Sequence, residues 1–332
     1  MQAGELKEAV RNRSVYRQLH LGTAGGQKRC HEESTGLSVS SAGPLPGYTD
    51  MPWRQVTAAA NSLAADRAGG RFVSIQGCIP TVYEEAGLRE DMGQFAAEVK
   101  RNGMEVCDVN IQVPDQVNAP QYFVTAVGYG GQRSVVHPGQ ELVVTRQIAL
   151  AGTAALARTC EAELYRRFPF WLVDHAKGFD GWMSVVDAAQ TAYRLGAAAV
   201  YNVAQGGIFN ALWEMAERAD VGLEAELRAI PVKQETIEIC EYFDLNPYYL
   251  YSEGCLLIGT EQADNLIAGL GEAGIPASVI GRVTEGNDRI IRNGENRRFL
   301  DRPKRDEWWK AGLHFTSVGT VTRKQETGER TL

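Results

Sequence analysis

The sequence predicts an α/β (α+β) protein of two domains, each a sheet flanked by helices. Three observations predict it. Short apolar runs alternate with longer stretches whose apolar residues recur at three- and four-residue spacing, the pattern of strands alternating with helices. The chain has 332 residues, 44% hydrophobic and 23% charged, an ordinary globular balance with enough length for two cores. A turn-forming junction, His137-Pro-Gly-Gln140, precedes a fresh strand pattern. It divides the chain into residues 1–137 and 138–322, followed by a polar tail, 323–332, expected to fray.

Taken in order, Leu6–His20 predicts an amphipathic helix, with Leu6, Val10, Val15 and Leu19 on one side. Leu21–Pro52 is poorly periodic and rich in Gly, Ser and Pro. It holds the turn-prone segments Gly22–Gly26 and Gly43–Gly47 and a strand at Gly36–Ser40. Trp53–Arg67 is Ala-rich and made of good helix formers. Arg71–Ile79 is a strand that stops at Pro80. Glu84–Gly103 is a helix with the stripe Leu88, Met92, Phe95, Ala96 and Val99, and Gly103 is its C-cap. Two strands, Met104–Val113 and Tyr122–Tyr129, complete the first half.

The second half opens with a strand, Glu141–Thr145, and a Gly/Ala-rich helix, Ala151–Arg167. The segment Phe168–Asp174 and a helix over Val185–Leu195 follow. The rest of the chain is organised around Ala197–Trp213. There Ala198–Val203 suits a strand buried on both faces, Gly206-Gly207 breaks it, and Ile208, Leu212, Met215 and Ala219 resume at helical spacing. A strand, a glycine pair and a helix start would present a bare helix N-terminus where a phosphate could sit. A tight strand-to-helix turn accounts for the same pair, and short glycine turns are the commoner case. Val221–Leu227 and Lys233–Phe243 come next, then a strand at Cys255–Thr260 and a helix at Ala263–Ala273 capped by Gly274. A strand at Ala277–Val283 precedes a hairpin of Arg289–Ile291 and Arg297–Leu300 around Asn293-Gly294. Glu285-Gly-Asn-Asp288 predicts a further hairpin turn, and Trp308-Trp309 a packing anchor or a partner surface.

Composition excludes several function classes. A net charge of −7 argues against a nucleic-acid or anionic-membrane surface. No apolar run approaches the roughly 18 residues of a membrane span, and the first ten residues lack a signal-peptide core. A cytoplasmic protein is expected. Cys30, Cys78, Cys107, Cys160, Cys240 and Cys255 lie far apart with no C-x-x-C pair, as reduced core cysteines do. His20, His31, His137, His175 and His314 show no metal-ligand spacing.

One ordered series of segments is specific. It comprises Ala176-Lys-Gly-Phe-Asp180, Ser184-Val-Val, Gly206-Gly-Ile-Phe-Asn-Ala-Leu-Trp-Glu-Met-Ala-Glu217, Ile230-Pro-Val-Lys-Gln-Glu-Thr236, Ile239-Cys-Glu-Tyr-Phe-Asp-Leu-Asn-Pro247 and Gly274-Ile-Pro-Ala-Ser-Val-Ile-Gly-Arg-Val-Thr-Glu-Gly286. Through it the second half resembles the C-terminal domain of the aminoimidazole ribonucleotide (AIR) synthetase superfamily. Selenophosphate synthetase, thiamine-monophosphate kinase and the hydrogenase-maturation dehydratase share that superfamily. The likeness is nearest to the bacterial AIR synthase-related, hydrogenase-maturation-factor-like (HypE-like) group. The first half matches more thinly, at Arg13-Ser-Val-Tyr-Arg-Gln-Leu-His20 and at Gly139-Gln-Glu-Leu-Val-Val-Thr145.

The resemblance implies a two-domain PurM-like fold. Its N-terminal sheet would pair with a twin across a two-fold axis, and its C-terminal domain would be a mixed sheet flanked by helices. In active families ATP lies between the domains and its phosphates are held through magnesium by carboxylates, the hard oxygen ligands that ion prefers. Here the expected acids are replaced. Arg29 stands in the Gly-rich motif and Gly43 stands before Pro44. Asn61-Ser62-Leu63 replaces an Asn-Asp-Leu, Gln112 replaces a Glu, and Asn202 leads the turn Asn202-Val-Ala-Gln205-Gly206-Gly207. Neutral amides bind magnesium far more weakly than carboxylates.

The resemblance thus implies a degenerate nucleotide cleft at Asn61, Gln112, Asn202, Gln205, Gly206 and Gly207, with no metal, no cofactor and no assigned catalytic residue. A structural or regulatory paralogue is expected, as a homodimer or paired with an active relative, or a small-ligand binder. The competing expectation is an active ATP- and magnesium-dependent enzyme of hydrogenase-maturation type. It would need Asp50, Glu105 and Asp108 to converge. A third is a pure assembly module. The chain ends Gly-Glu-Arg-Thr-Leu332 without the C-terminal cysteine of the dehydratase, and Cys30 is the one weak counterpart of the selenophosphate synthetase nucleophile. Lys177, Asp180 and Asp187 suit solvated or capping roles as well as ligand contact.

Overall fold

A computed structural model describes residues 31–32, 36–131 and 134–311. The expected helix Leu6–His20, the Gly22–Gly26 turn, Arg29, Cys30, His314 and the tail 323–332 lie outside the described residues.

The first sheet has five strands: β1 (His31–Glu32), β2 (Leu37–Ala42), β3 (Gly69–Cys78), β4 (Glu105–Gln112) and β5 (Gln121–Tyr129). Their order is β1-β2-β5-β3-β4. All neighbours are antiparallel except β3 and β4, which the helix α2 (Glu85–Arg101) joins as a parallel crossover. Along β5, Tyr122, Val124 and Ala126 are buried while Phe123 and Tyr129 are exposed, so only one face of this sheet is covered.

The cover is α1 (Arg54–Ala65), preceded by the loop that contains Gly43–Gly47. From Gln55 to Ala65 every residue of α1 is buried. A helix buried all round needs small side chains where other elements approach, which is why this segment is rich in Ala. It packs on the first sheet and also meets β7 (Ala199–Val203) and α6 (Val186–Arg194) of the second half.

The second sheet has seven strands in the order β12-β11-β8-β10-β6-β9-β7. They are β6 (Glu141–Thr145), β7, β8 (Gly222–Glu226), β9 (Cys255–Thr260), β10 (Ala277–Thr284), β11 (Arg289–Asn293) and β12 (Asn296–Phe299). Every residue of β9 is buried, as a central strand covered on both faces requires. Val143, Val200, Leu256 and Ile258 pack with α6 and with α9 (Ala263–Glu272). Leu142, Val144, Leu257 and Val203 join the core that includes α3 (Leu150–Thr159), α5 (Phe170–Lys177), α7 (Gly207–Ala219) and α8 (Gln234–Tyr242). Among the described residues no helix is long and apolar enough to cross a membrane.

Two local expectations are corrected. Ala151–Arg167 is not one helix. It breaks at Cys160, whose backbone leaves the helical region, and α4 (Glu161–Arg167) restarts at an angle that buries Leu164. Glu285–Asp288 does not turn a hairpin, because β10 and β11 lie on opposite sides of β8. The loop crosses the end of β8 at Gly222, where a Cβ would lie 2.8 Å from the Asp288 carbonyl oxygen. The hairpin β11–β12 turns at Gly294-Glu295, with Asn293 opposite Asn296 and Gly294 at φ +62°.

Candidate functional site

The stretch around Asn202 and the Asn61 helix meet in the interior. Asn61 comes from α1, Asn202 from β7, and between them lies Glu253 from the loop before β9. All three are buried. The Asn61 amide nitrogen donates to Glu253 Oε2 at 2.7 Å and to the Met183 carbonyl at 2.8 Å. Its carbonyl oxygen accepts from the Val185 amide at 2.9 Å. Asn202 donates to the other carboxylate oxygen, Glu253 Oε1, at 3.0 Å, while its own Oδ1 is buried with no hydrogen-bond partner. One carboxylate thus bridges two amides from the two halves of the chain. Asn61, with both donors and its acceptor engaged, has its hydrogen-bonding capacity largely used.

The helix N-terminus at Gly206-Gly207 is not bare. The Gly206 amide donates to Asp306 Oδ2 at 2.7 Å, and Asp306 Oδ1 accepts from the Trp308 amide at 2.9 Å. A carboxylate of the chain therefore sits where the amides and dipole of α7 favour an anion. Gly207 has φ +66°, and a Cβ there would lie 2.5 Å from the Tyr248 carbonyl oxygen. This glycine is required by close backbone packing. Gln205 is half-buried beside the turn. Gln112 lies far down β4, exposed, its carbonyl accepting from the Ile79 amide.

The acids of the competing expectation occupy separate settings. Glu105 and Asp108 are exposed on β4, where Asp108 accepts from the Ser74 hydroxyl at 3.3 Å. Asp50 follows the Gly43–Gly47 segment and lies 3.9 Å from Arg158 Nε. Among the described residues no group of three or more His, Cys, Asp or Glu side chains is placed to hold a metal ion.

A second polar knot ties the loop after β2 to the second half. The Tyr48 hydroxyl donates to Asp180 with the Ala151 carbonyl also 3.1 Å away, and Arg158 pairs with Asp180 while lying over the Tyr48 ring. Burial, and then the Asp180 charge, hold the Tyr48 phenol well above its ordinary range. Asp180, which the sequence left open, is thus an interior partner. Lys177 instead pairs with Glu161 and Asp174 on the α4–α5 surface. Burial pushes the thiols of Cys160 and Cys240 up to about 12, and raises Cys255 also, so all three are inert protonated groups at neutral pH.

Sequence reasoning pointed to Asn61, Asn202 and Gly206 but missed Glu253, Asp306, Tyr48 and Arg158. Asp306 had one usable signal. It is an acid just before Trp308-Trp309, and an apolar pair of that size anchors its neighbours inside.

Comparison with known proteins places this architecture. Residues 137–292 match the family model described as AIR synthase related protein, C-terminal domain. Carbamoyl dehydratase HypE of Rhodobacter capsulatus is 26% identical over 209 residues, covering 61% of this chain and 60% of that protein. Its counterpart from Rhizobium leguminosarum bv. viciae is 23% identical over 243 residues, 70% of this chain and 67% of that protein. The matches thus span only about 60% of the first of these relatives. A chain from the crystal structure of a HypE–HypF complex superposes with a TM-score of 0.71 at 15% identity, covering 89% of this chain and 100% of that one. Thiamine monophosphate kinase of Aquifex aeolicus gives 0.66 at 16% identity, over 88% of this chain and 99% of that one. At such identities these structures speak for the fold. Residues 137–292, just under half of the chain, are thus similar to the AIR synthase related C-terminal domain, and the chain as a whole shares the fold of HypE and of thiamine monophosphate kinase.

Proposed function

We propose that this chain keeps the fold of its superfamily without magnesium-dependent phosphoryl transfer. It serves as a structural or regulatory paralogue, as a homodimer or paired with an active relative, or it binds a small ligand in the inherited cleft. One observation carries the reading. Where the resemblance expects magnesium carboxylates, the chain has Gly43, Asn61-Ser62, Gln112 and Asn202, and the two buried amides are tied to Glu253. A magnesium ion needs several hard, preferably anionic oxygens; the Asn61 oxygen already accepts from the Val185 amide, and the unpartnered Asn202 oxygen is a single neutral donor. Asp306 at the α7 N-terminus supports the same reading, since a phosphate there would face a carboxylate.

A second reading is favoured by the similarity to carbamoyl dehydratase HypE. It is an active ATP-dependent enzyme with a rearranged site, and ATP with magnesium belongs to it alone. One experiment separates the two. Purified protein is titrated calorimetrically with a non-hydrolysable ATP analogue, with and without magnesium, and assayed for ATP hydrolysis. We expect no magnesium-dependent binding and no hydrolysis. Magnesium-dependent binding or turnover would overturn the first reading and install the second. Binding without magnesium would support the small-ligand form, with the nucleotide as its ligand.

A further inference from the structure

We infer that the free edge of β12 binds an extended acidic segment of another protein, which adds to the second sheet as a further strand. This goes beyond the proposed function. β12 lies at the opposite end of that sheet from β7, which carries Asn202, and no nucleotide is involved. Among the described residues β12 is the last strand, paired only with β11, and all four of its residues are exposed. The hairpin register fixes which backbone groups are open. Asn293 and Asn296 close the two-residue turn, and the Leu300 amide donates to the Arg289 carbonyl at 2.7 Å. Asn296, Arg298 and Leu300 therefore bond toward β11. The amides and carbonyls of Arg297 and Phe299 point the other way, two donors and two acceptors open to a strand.

The side chains select the occupant. Arg297 and Phe299 share one face of the strand, and Phe299 is 66% exposed, an apolar contact for an incoming residue. Arg297 stands directly opposite Arg292, in the pair geometry that brings side chains closest, and Arg292 is already paired with Glu224. The Asp288 carboxylate lies 3.9 Å from Arg297, with both side chains more than half exposed, a contact that solvent weakens. On the other face Arg298 lies over the Phe209 ring, 5.6 Å from its centroid. Residues 294–305 hold five Arg or Lys against two Asp or Glu, in a chain of net charge −7. Acids opposite Arg297 and Arg298 and an apolar residue opposite Phe299 would complete this edge. A second copy would bring these arginines against their own twins, and a polynucleotide has no peptide groups to pair.

The test is fluorescence anisotropy of a labelled peptide, acetyl-Glu-Glu-Val-Glu-Glu-Val-amide, titrated with the full chain. It presents the required pattern in either strand direction. Magnesium and nucleotide are left out, so failure here and failure of the nucleotide reading are separate results. We expect saturable binding with a Kd of about 100 μM, weakened in molar salt. A peptide with Lys in place of Glu, and a fully N-methylated copy that keeps the charge but lacks the strand donors, should each bind at least about tenfold more weakly. Arg297→Glu with Arg298→Glu, at exposed positions, should weaken binding at least about tenfold while leaving the circular dichroism unchanged. No saturation, equal binding of the N-methylated copy, equal binding of an oligothymidylate of the same charge, or a double variant that binds like the parent would each overturn the inference.

Discussion

Glu253 is a carboxylate 2% exposed to solvent, held by amides that reach it from α1 and β7. Removing it leaves two buried amide donors without an acceptor, which costs more than the bonds themselves contribute. Glu253→Ala should therefore lose about 3 kcal/mol of stability, read as a lower urea midpoint. Glu253→Gln keeps the shape but turns one oxygen into an NH2 facing an amide NH2, and should lose about half as much. Equal midpoints for parent and both variants would mean the bridge contributes nothing. Half of this site was legible in the sequence. Asn61 and Asn202 stand in motif positions, but Glu253 is 192 residues from the first and 51 from the second, with no local pattern to announce it. Asp306 was hidden for the same reason, 100 residues from the Gly206 amide it meets.

At the scale of elements, legibility followed local chemistry. The Ala-rich α1, the stripe of α2 apart from the exposed Ala96, and the Asn-Gly hairpin were set by spacing and turn residues that act over a few positions. The break between α3 and α4 was not, since Ala, Leu and Arg propensities run on through Cys160 and only tertiary burial of Leu164 bends the chain. The helices after that break are tied by Lys177, which pairs with Glu161 and Asp174 and bonds to the Tyr165 hydroxyl. The Lys177 hydrogen bond holds the Glu161 carboxyl below its ordinary 4.5, and bonds from Tyr165 and then Lys177 hold Asp174 below its ordinary 3.8. Depressed acids add stability above their unfolded pKa and lose it as pH falls through the folded value. Lys177 is raised by the same contacts, so its share is present below its unfolded value and lost only at strongly alkaline pH. All of these groups lie at the surface, so salt screens them. Lys177→Met should make the fall of the melting temperature below about pH 4.5 shallower, and the difference from the parent should vanish in molar salt. A parallel pH profile for the two proteins would reject this coupling.

The whole molecule carries one asymmetry. The centre of the second sheet is covered on both faces, whereas the first sheet is covered on one face only and ends in β4, where seven residues are exposed and Ile111 is half-buried. A free edge strand beside an open face is a pairing hazard unless something covers it. Phe123 and Tyr129, on the open face of β5, are 47% and 50% exposed and give that face an apolar surface. Pairing of this sheet with its twin, part of the proposed function, would cover both. Sedimentation equilibrium at micromolar concentration should then give twice the 36.4 kDa of the chain. Phe123→Asp with Tyr129→Asp should give the single-chain mass, because each charge would be buried against its own copy across the two-fold axis. Both positions point away from the core, so circular dichroism should not change. A parent protein that sediments as a monomer would remove the homodimer. The open sheet would then remain for a different chain, the active relative of the proposed heterodimer, and co-sedimentation with that relative would be the deciding measurement.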